Sequence, residues 1–178
     1  MDGLPAFGRV LGSPGFGGCF CAVWTDFGPD WSARCSDPSR PNLALTEASV
    51  RAGRRPGFLL VRDGANVGWL GGGPRAELPA MATRLASRRG REDAWVIGCL
   101  ALLPEARGSG LASEAVRAFV EIARSAGAPV VEAFPTRPWD EPRSYRGSER
   151  LYRSLGFEEV LAEPDAESAI LLYRLTLR

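Results

Sequence analysis

The chain has no histidine, and all 22 of its positive residues are arginine, so lysine is missing as well. These absences exclude Ser-His and Cys-His nucleophile pairs, a histidine general base, histidine metal ligands and lysine Schiff bases. Chemistry has to run on carboxylates, tyrosine, cysteine, arginine, backbone groups and water. Cysteine is scarce: Cys19, Cys21, Cys35 and Cys99 show none of the Cys-x-x-Cys spacing of a structural zinc site and read as reduced thiols. Also absent is an apolar run of the roughly 20 residues that a membrane span needs. The N-terminus, Met1-Asp2-Gly3-Leu4-Pro5, lacks the basic and apolar regions of a secretory signal. A cytoplasmic protein is expected. The formal net charge of +1 supplies no overall field for nucleic acid or an anionic membrane. Arginine in place of lysine, with abundant Ala, Gly and Pro, suggests a GC-rich bacterial source.

What is present fits one globular domain: 178 residues, 45% of them hydrophobic, suffice for a core of their own. Residues 1–17, rich in Gly and Pro, read as an irregular lead-in. Residues 18–24 alternate aromatic and small side chains and predict a first strand, with Cys19 and Cys21 on one face as buried structural thiols or, less simply, two soft metal ligands. Residues 25–41 predict a loop with one helical turn, and 42–52 a helix stopped by Gly53. Residues 57–62 and 66–71 predict a hairpin about Asp63-Gly64-Ala65, its second strand ended by the glycines at 71–73. A short helix is expected over 77–86, followed by Arg88 and Arg89, which with Arg84 make a solvated charged face or a phosphate contact. The fourth strand spans about 93–103. The helix after it carries an apolar stripe of Leu111, Ala115, Phe119, Ile122 and Ala123 and ends near Gly127. Residues 129–134 predict a fifth strand, parallel to the fourth because the crossover is long. A loop at 135–147 holds Trp139, Asp140, Glu141 and Tyr145. After it come a short helix from Ser148 to Leu155, closed by Gly156, and strands at 157–162 and 169–177.

The stretch around which the rest is organised is Pro104-Glu105-Ala106-Arg107-Gly108-Ser109-Gly110-Leu111-Ala112. Strand, glycine-rich turn and helix in succession read as an anion site or as an ordinary strand-to-helix turn with glycine for steric reasons. Glycine lets a ligand reach the backbone, the N–H groups of the first helical turn point outward, and Arg107 adds charge. The P-loop ending Gly-Lys-Ser/Thr is absent, as is the third glycine of a dinucleotide-binding turn.

Arg107-x-x-Gly110-x-Ala112 resembles the Arg/Gln-x-x-Gly-x-Gly/Ala pyrophosphate loop of the GNAT superfamily of N-acetyltransferases, and Leu151-Tyr152-Arg153-Ser154-Leu155-Gly156-Phe157 resembles that family's Leu-Tyr-x-x-x-Gly-Phe segment. The resemblance is specific from about 93 to 157. It implies a mixed α/β (α+β) fold: a mostly antiparallel central sheet flanked by helices, splayed between the fourth and fifth strands, with acetyl-CoA in the opening. By the same resemblance, backbone at Leu100, Ala101 and Leu102 pairs with the pantetheine arm, and the N–H groups of Arg107, Gly108, Ser109, Gly110, Leu111 and Ala112 hold the pyrophosphate. The resemblance also implies that Tyr152 is the general acid for the leaving thiolate, the alternative being a buried tyrosine that covers the core. Two departures stand out. The fourth strand lacks the carboxylate base of many members, leaving Glu92, Asp93, Glu132 or a water. Tyr145 occupies the position, seven residues before Tyr152, where many members carry a CoA-contacting Asn.

The activity implied is direct attack of a small-molecule primary amine on acetyl-CoA without a metal; a non-catalytic acyl-CoA-binding module is the alternative. Trp139, Asp140 and Glu141 are candidate contacts for a cationic amine. Nucleic acid and membrane are not expected as partners, and a homodimer is allowed.

Overall fold

A two-residue turn organises the first hairpin. Asp63 and Gly64 both adopt positive φ, 51° and 77°, the pairing that lets two twisted strands meet without a longer loop. On either side run β1 (Gly57–Arg62) and β2 (Ala65–Pro74), antiparallel from Arg62↔Ala65 to Gly57↔Gly71. The structure, a computed structural model, describes residues 3–13, 15–83, 89–138, 145–161 and 169–178. Among these, six strands form one sheet in the order β1-β2-β3-β4-β6-β5, with β3 at Trp95–Leu102, β4 at Val130–Ala133, β5 at Glu158–Leu161 and β6 at Leu172–Thr176. Only β3 and β4 are parallel.

Helices cover both faces. One carries α4 (Leu111–Ser125) and α5 (Glu149–Ser154). Phe119, Val116 and Ala123 of α4 are buried there against Leu70, Ile97 and Val131 of the strands. Burying side chains of the Phe or Val type contributes about 1.5–3 kcal/mol each. Ile122 was expected on that stripe but is 41% exposed; Val116 and Val120 take the positions facing the sheet. The other face carries α1 (Leu4–Leu11), α2 (Trp31–Ser36) and α3 (Pro41–Arg51).

The structure corrects four expectations, two of them in the N-terminal layer. The lead-in expected over 1–17 holds a helix among its described residues: α1, with Pro5 in its first turn, has Phe7, Val10 and Leu11 buried against the sheet. Residues 18–24 do not form a strand. Side chains of α3 take the carbonyls a strand would share with a neighbour, Asn42 Nδ2 donating to Gly18 O (2.9 Å) and Thr46 Oγ1 to Phe20 O (2.8 Å). Phe20 and Cys21 turn to positive φ, and Ala22–Trp24 closes as a 3-10 turn. The glycines at 71–73 do not end β2, which runs through them to Pro74. At 77–86 the described part forms 3-10 turns, Arg75–Glu77 and Pro79–Thr83, instead of one helix; Arg84 and Arg88 lie outside the described residues.

Candidate active site

The site begins where β3 parts from β4. They pair at Trp95↔Val131, Val96↔Glu132 and Ile97↔Ala133, and no further. Beyond Ala133, Pro135 has no N–H to extend the ladder, and the chain leans toward β6 through Leu171 N–H to Pro135 O (2.8 Å) and the Thr136↔Ile170 bridge. On the other side of β3 the register slips: Gly72 faces Ile97 and Gly71 faces Cys99, leaving Gly98 as a bulge. A bulge shifts the alternation by one residue. Cys99 and Ala101 thereby join the core under α1, and Leu100 the core under α4.

Past this opening, Pro104–Ala106 makes a 3-10 turn and Gly110, at φ 84°, starts α4 without any side-chain cap. A Cβ built on Gly108 meets nothing within 4 Å, and one on Gly110 meets only Glu114 Oε1 at 3.9 Å. The backbone there is open to a ligand. Arg107 is steadied by Nε donating to Leu102 O (3.1 Å), which sets its guanidinium at the end of β3. A cleft of about 230 Å³ runs alongside, walled by Leu100, Ala101, Leu102, Arg107, Gly108 and Ala112 on one side and by Phe16, Tyr145, Gly147, Ser148 and Leu151 on the other. Thus seven residues expected at a cofactor site line one cleft: 100, 101, 102, 107, 108, 112 and 145. Ser109 turns its hydroxyl back to Ala106 O (2.7 Å), and the Leu111 side chain is buried.

Tyr145 and its successors enter the opening itself. The Leu100 N–H donates to Tyr145 O (2.6 Å), while the Tyr145 hydroxyl donates to Gly15 O and its ring meets Phe16 edge-on, centroids 5.5 Å apart. Arg146-Gly147 then crosses the Tyr152 ring so closely that a Cβ on Gly147 would lie 3.0 Å from the phenol oxygen. Tyr152 sits on α5, whose first turn is capped by Ser148 Oγ accepting from Leu151 N–H (3.2 Å). Its side chain is fully buried, and its hydroxyl donates to Arg146 O at 2.6 Å. Burial, with the nearby Cys99 thiol, raises its pKa above the ordinary phenol value, so the proton is held firmly at neutral pH.

Glu132 is placed differently from a base. The side chain has no exposed surface; Oε1 accepts from Arg174 Nη2 (2.6 Å) and Nε (2.9 Å) and from the Arg91 N–H (3.1 Å). This cluster ties β4 to β6 at the paired end of the strands, and the carboxylate is not among the groups lining the cleft. Asp93, another candidate, is bound by Arg91 at 2.8 and 2.6 Å. Trp139, Asp140 and Glu141 lie outside the described residues.

Sequence reasoning missed the wall facing the opening from the N-terminal side. The Trp24 indole lies on Gly98, where a Cβ would come within 2.4 Å of Nε1, and the Arg146 guanidinium stacks over the Trp24 ring at 4.8 Å. Next to it Cys21 Sγ accepts from Trp69 Nε1 (3.1 Å), with the Cys99 thiol as a neighbour. The neighbouring Cys99 thiol and the Trp69 N–H, with Arg146 nearby, hold the Cys21 pKa below the ordinary thiol value against burial, and Cys21 together with burial holds Cys99 well above it. Cys19 is pushed up to about 12 by burial and by Cys21. Among the described residues no group of three His, Cys, Asp or Glu side chains forms a metal site. The signal in the sequence was glycine inside strands, at 71 and 98, which marks a bulge or a close approach.

A family model described as the acetyltransferase (GNAT) family matches residues 20–157. Solved structures resemble the chain over nearly its whole length. A protein solved as an acetyltransferase has 17% identity and a TM-score of 0.65, with 99% of this chain and 96% of that one covered. The ribosomal-protein-alanine N-acetyltransferase from Brucella melitensis has 21% identity and a TM-score of 0.58, covering 99% and 95%. The Salmonella typhimurium protein yncA, solved with its cofactor acetyl-CoA, has 17% identity and a TM-score of 0.60, covering 99% and 90%. Identities this low show a shared fold. No curated protein matches the sequence.

Proposed function

We propose, from the premise that the chain belongs to the GNAT acetyltransferase family, that it carries the acetyl group of acetyl-CoA to the primary amine of a small molecule by direct attack of the amine. The observation that carries this reading is the uncapped start of α4 beside the splayed edge of β3, open at Gly108 and Gly110 and joined to the cleft along Leu100–Leu102. The residues present fit the cofactor. Backbone N–H groups from Gly108 to Ala112 would hold the pyrophosphate; the Arg107 N–H, expected among them, is given to Pro104 O (3.2 Å), and Arg107 adds the charge of its guanidinium. The pantetheine arm would lie along Leu100–Leu102 and take over the Leu100 N–H from Tyr145. Bound acetyl-CoA supplies the activated acetyl group and a thiolate leaving group. Tyr152 would supply the proton for that thiolate, from the hydroxyl that is given to the Arg146 carbonyl here. With Glu132 committed to Arg174 and Asp93 to Arg91, water receives the proton of the attacking amine. Trp139, Asp140 and Glu141 remain proposed acceptor contacts, and the four free thiols fit a reducing, cytoplasmic setting.

One observation favours a second reading, a module that binds acyl-CoA without turnover. The Leu100 N–H and the Tyr152 hydroxyl are both engaged by the 145–146 backbone. Calorimetry with acetyl-CoA, followed by thioester consumption over a panel of amines, separates the two. Consumption with any amine rejects the pure binder, binding without consumption selects it, and failure to bind rejects both.

A further inference from the structure

A second cavity, of about 220 Å³, lies away from the glycine turn, between α1, α3 and the β1–β2 side of the sheet. Its walls are apolar: Leu4 and Phe7 from α1, Val50 from α3, Leu59 from β1 and Trp69 from β2. Thr46 also borders it, but its hydroxyl is already given to Phe20 O. Arg54 and Arg55, both exposed and on the stretch between the end of α3 and β1, also border it. No carboxylate lines the cavity. The nearby acid on α3, Glu47, is paired with Arg51 at 2.8 Å, and neither Arg54 nor Arg55 forms an ion pair among the described residues.

This is an amphipathic receptor with a definite sign. Apolar walls take a hydrocarbon or aryl group out of water, and two adjacent guanidinium groups at the rim match a carboxylate, which Arg binds through paired N–H donors. A cation is repelled by the same rim. The volume is below the roughly 300–1,000 Å³ of pockets for drug-sized ligands, so the occupant is small. We propose that this cavity binds a small amphipathic carboxylate, its apolar end against Phe7, Leu59 and Trp69 and its carboxylate at Arg54 and Arg55. The site is separate from the cleft beside Gly108 and does not rest on the acetyl-CoA reading. An occupant would touch Trp69, whose indole N–H holds Cys21 beside the opening of the sheet.

The test is calorimetry on the full chain with three probes of one length: hexanoate, hexanamide and hexylamine. Hexanoate should bind with a dissociation constant of about 0.1–1 mM, the scale for so small a ligand. The amide should bind about tenfold more weakly, and the amine should give no binding. Arg54→Gln with Arg55→Gln should erase the preference for acid over amide while leaving amide affinity in place. Val50→Phe, which fills the cavity from α3, should abolish binding of both; if that variant fails to fold by circular dichroism, Leu4→Trp fills it from the start of α1. The proposal is overturned if wild type does not bind hexanoate, if wild type binds acid and amide equally, if the acid keeps its preference after Arg54→Gln with Arg55→Gln, or if hexanoate binding survives the filled cavity.

Discussion

The two faces of the sheet are held by different physics. The face under α4 and α5 is closed by one amphipathic helix, its side chains at helical spacing, and by a capped short helix, and it leaves a backbone surface open at Gly108 and Gly110. The face under α1 and α3 is closed by short pieces fitted individually: two left-handed residues, two α3 side chains bonded to 18–20 carbonyls, and strand glycines that make room for Cys21 and Trp24. Regular packing fixes a backbone cradle that suits any ligand with the same phosphate group. Individual fitting makes a wall whose shape depends on particular side chains.

The largest effect should come from spoiling the regular face at its ligand surface. Gly110→Glu places a carboxylate and a Cβ where phosphate is to meet backbone, and acetyl-CoA affinity by calorimetry should fall by more than about 100-fold. The residue is at φ 84°, so left-handed strain of about 1–2 kcal/mol will also lower the melting temperature. An affinity change of less than about threefold would remove the turn from the cofactor site.

Next in size is Tyr152→Phe. Turnover should fall about 100-fold with acetyl-CoA affinity nearly constant, the signature of a positioned acid. Leaving the Arg146 carbonyl without its donor should also lower stability by about 1 kcal/mol. If stability falls and the rate of a chemistry-limited reaction does not, Tyr152 only pins the 145–147 segment.

The other face answers in stability instead of binding. In Gly71→Ala the new Cβ would stand 2.3 Å from Cys21 Sγ and 2.8 Å from Trp69 Nε1. Overpacking of this kind costs about 1–3 kcal/mol in denaturant melts. Adding Cys21→Ala should recover part of it, with a coupling of about 0.5 kcal/mol or more, while acetyl-CoA affinity stays level. Equal losses in the single and double variants would mean that the glycine is not making room for the thiol.

The smallest effect concerns pH. Glu149 is held below the ordinary carboxylate value chiefly by the hydrogen bond from Arg137, opposed by burial and helped by Tyr173. The folded chain therefore binds this proton less tightly than the unfolded one. Its stabilising contribution is complete above about pH 4.5, the unfolded value, and is lost as pH falls through the lower folded value. The melting-temperature gap between wild type and Glu149→Gln should close on acidification through that window; a gap that does not change with pH would separate the ion network from stability.

Much of the scaffold was legible because it is local. The Asp63-Gly64 turn, the α4 stripe from Leu111 to Ala123 and the Ser148 cap are specified by neighbours within a few residues. The candidate site was legible in part: the glycine turn stood out, and seven of its expected residues line one cleft. The rest was hidden because alternation in a sequence does not say which partner is available. Residues 18–24 alternate like a strand, yet Asn42 and Thr46 claim their carbonyls. Glu132 looked like a free carboxylate on a strand, and Arg174, 42 positions away, takes it.

The sequence by itself determined the six strands from residue 57 onward, the helices after the glycine turn and after Ser148, the turn at Asp63-Gly64 and the backbone N–H groups exposed at the start of α4, since these follow from dihedral preference and side-chain periodicity along one stretch of chain. Only the tertiary structure decided the bulge that turns Cys99 and Leu100 to opposite faces, the Tyr145 carbonyl on Leu100, the carbonyl that holds the Tyr152 proton, and the cavity beneath Arg54 and Arg55. Each of these is a contact between segments far apart in the chain, set by which hydrogen-bond partner or volume remains once the regular elements have packed.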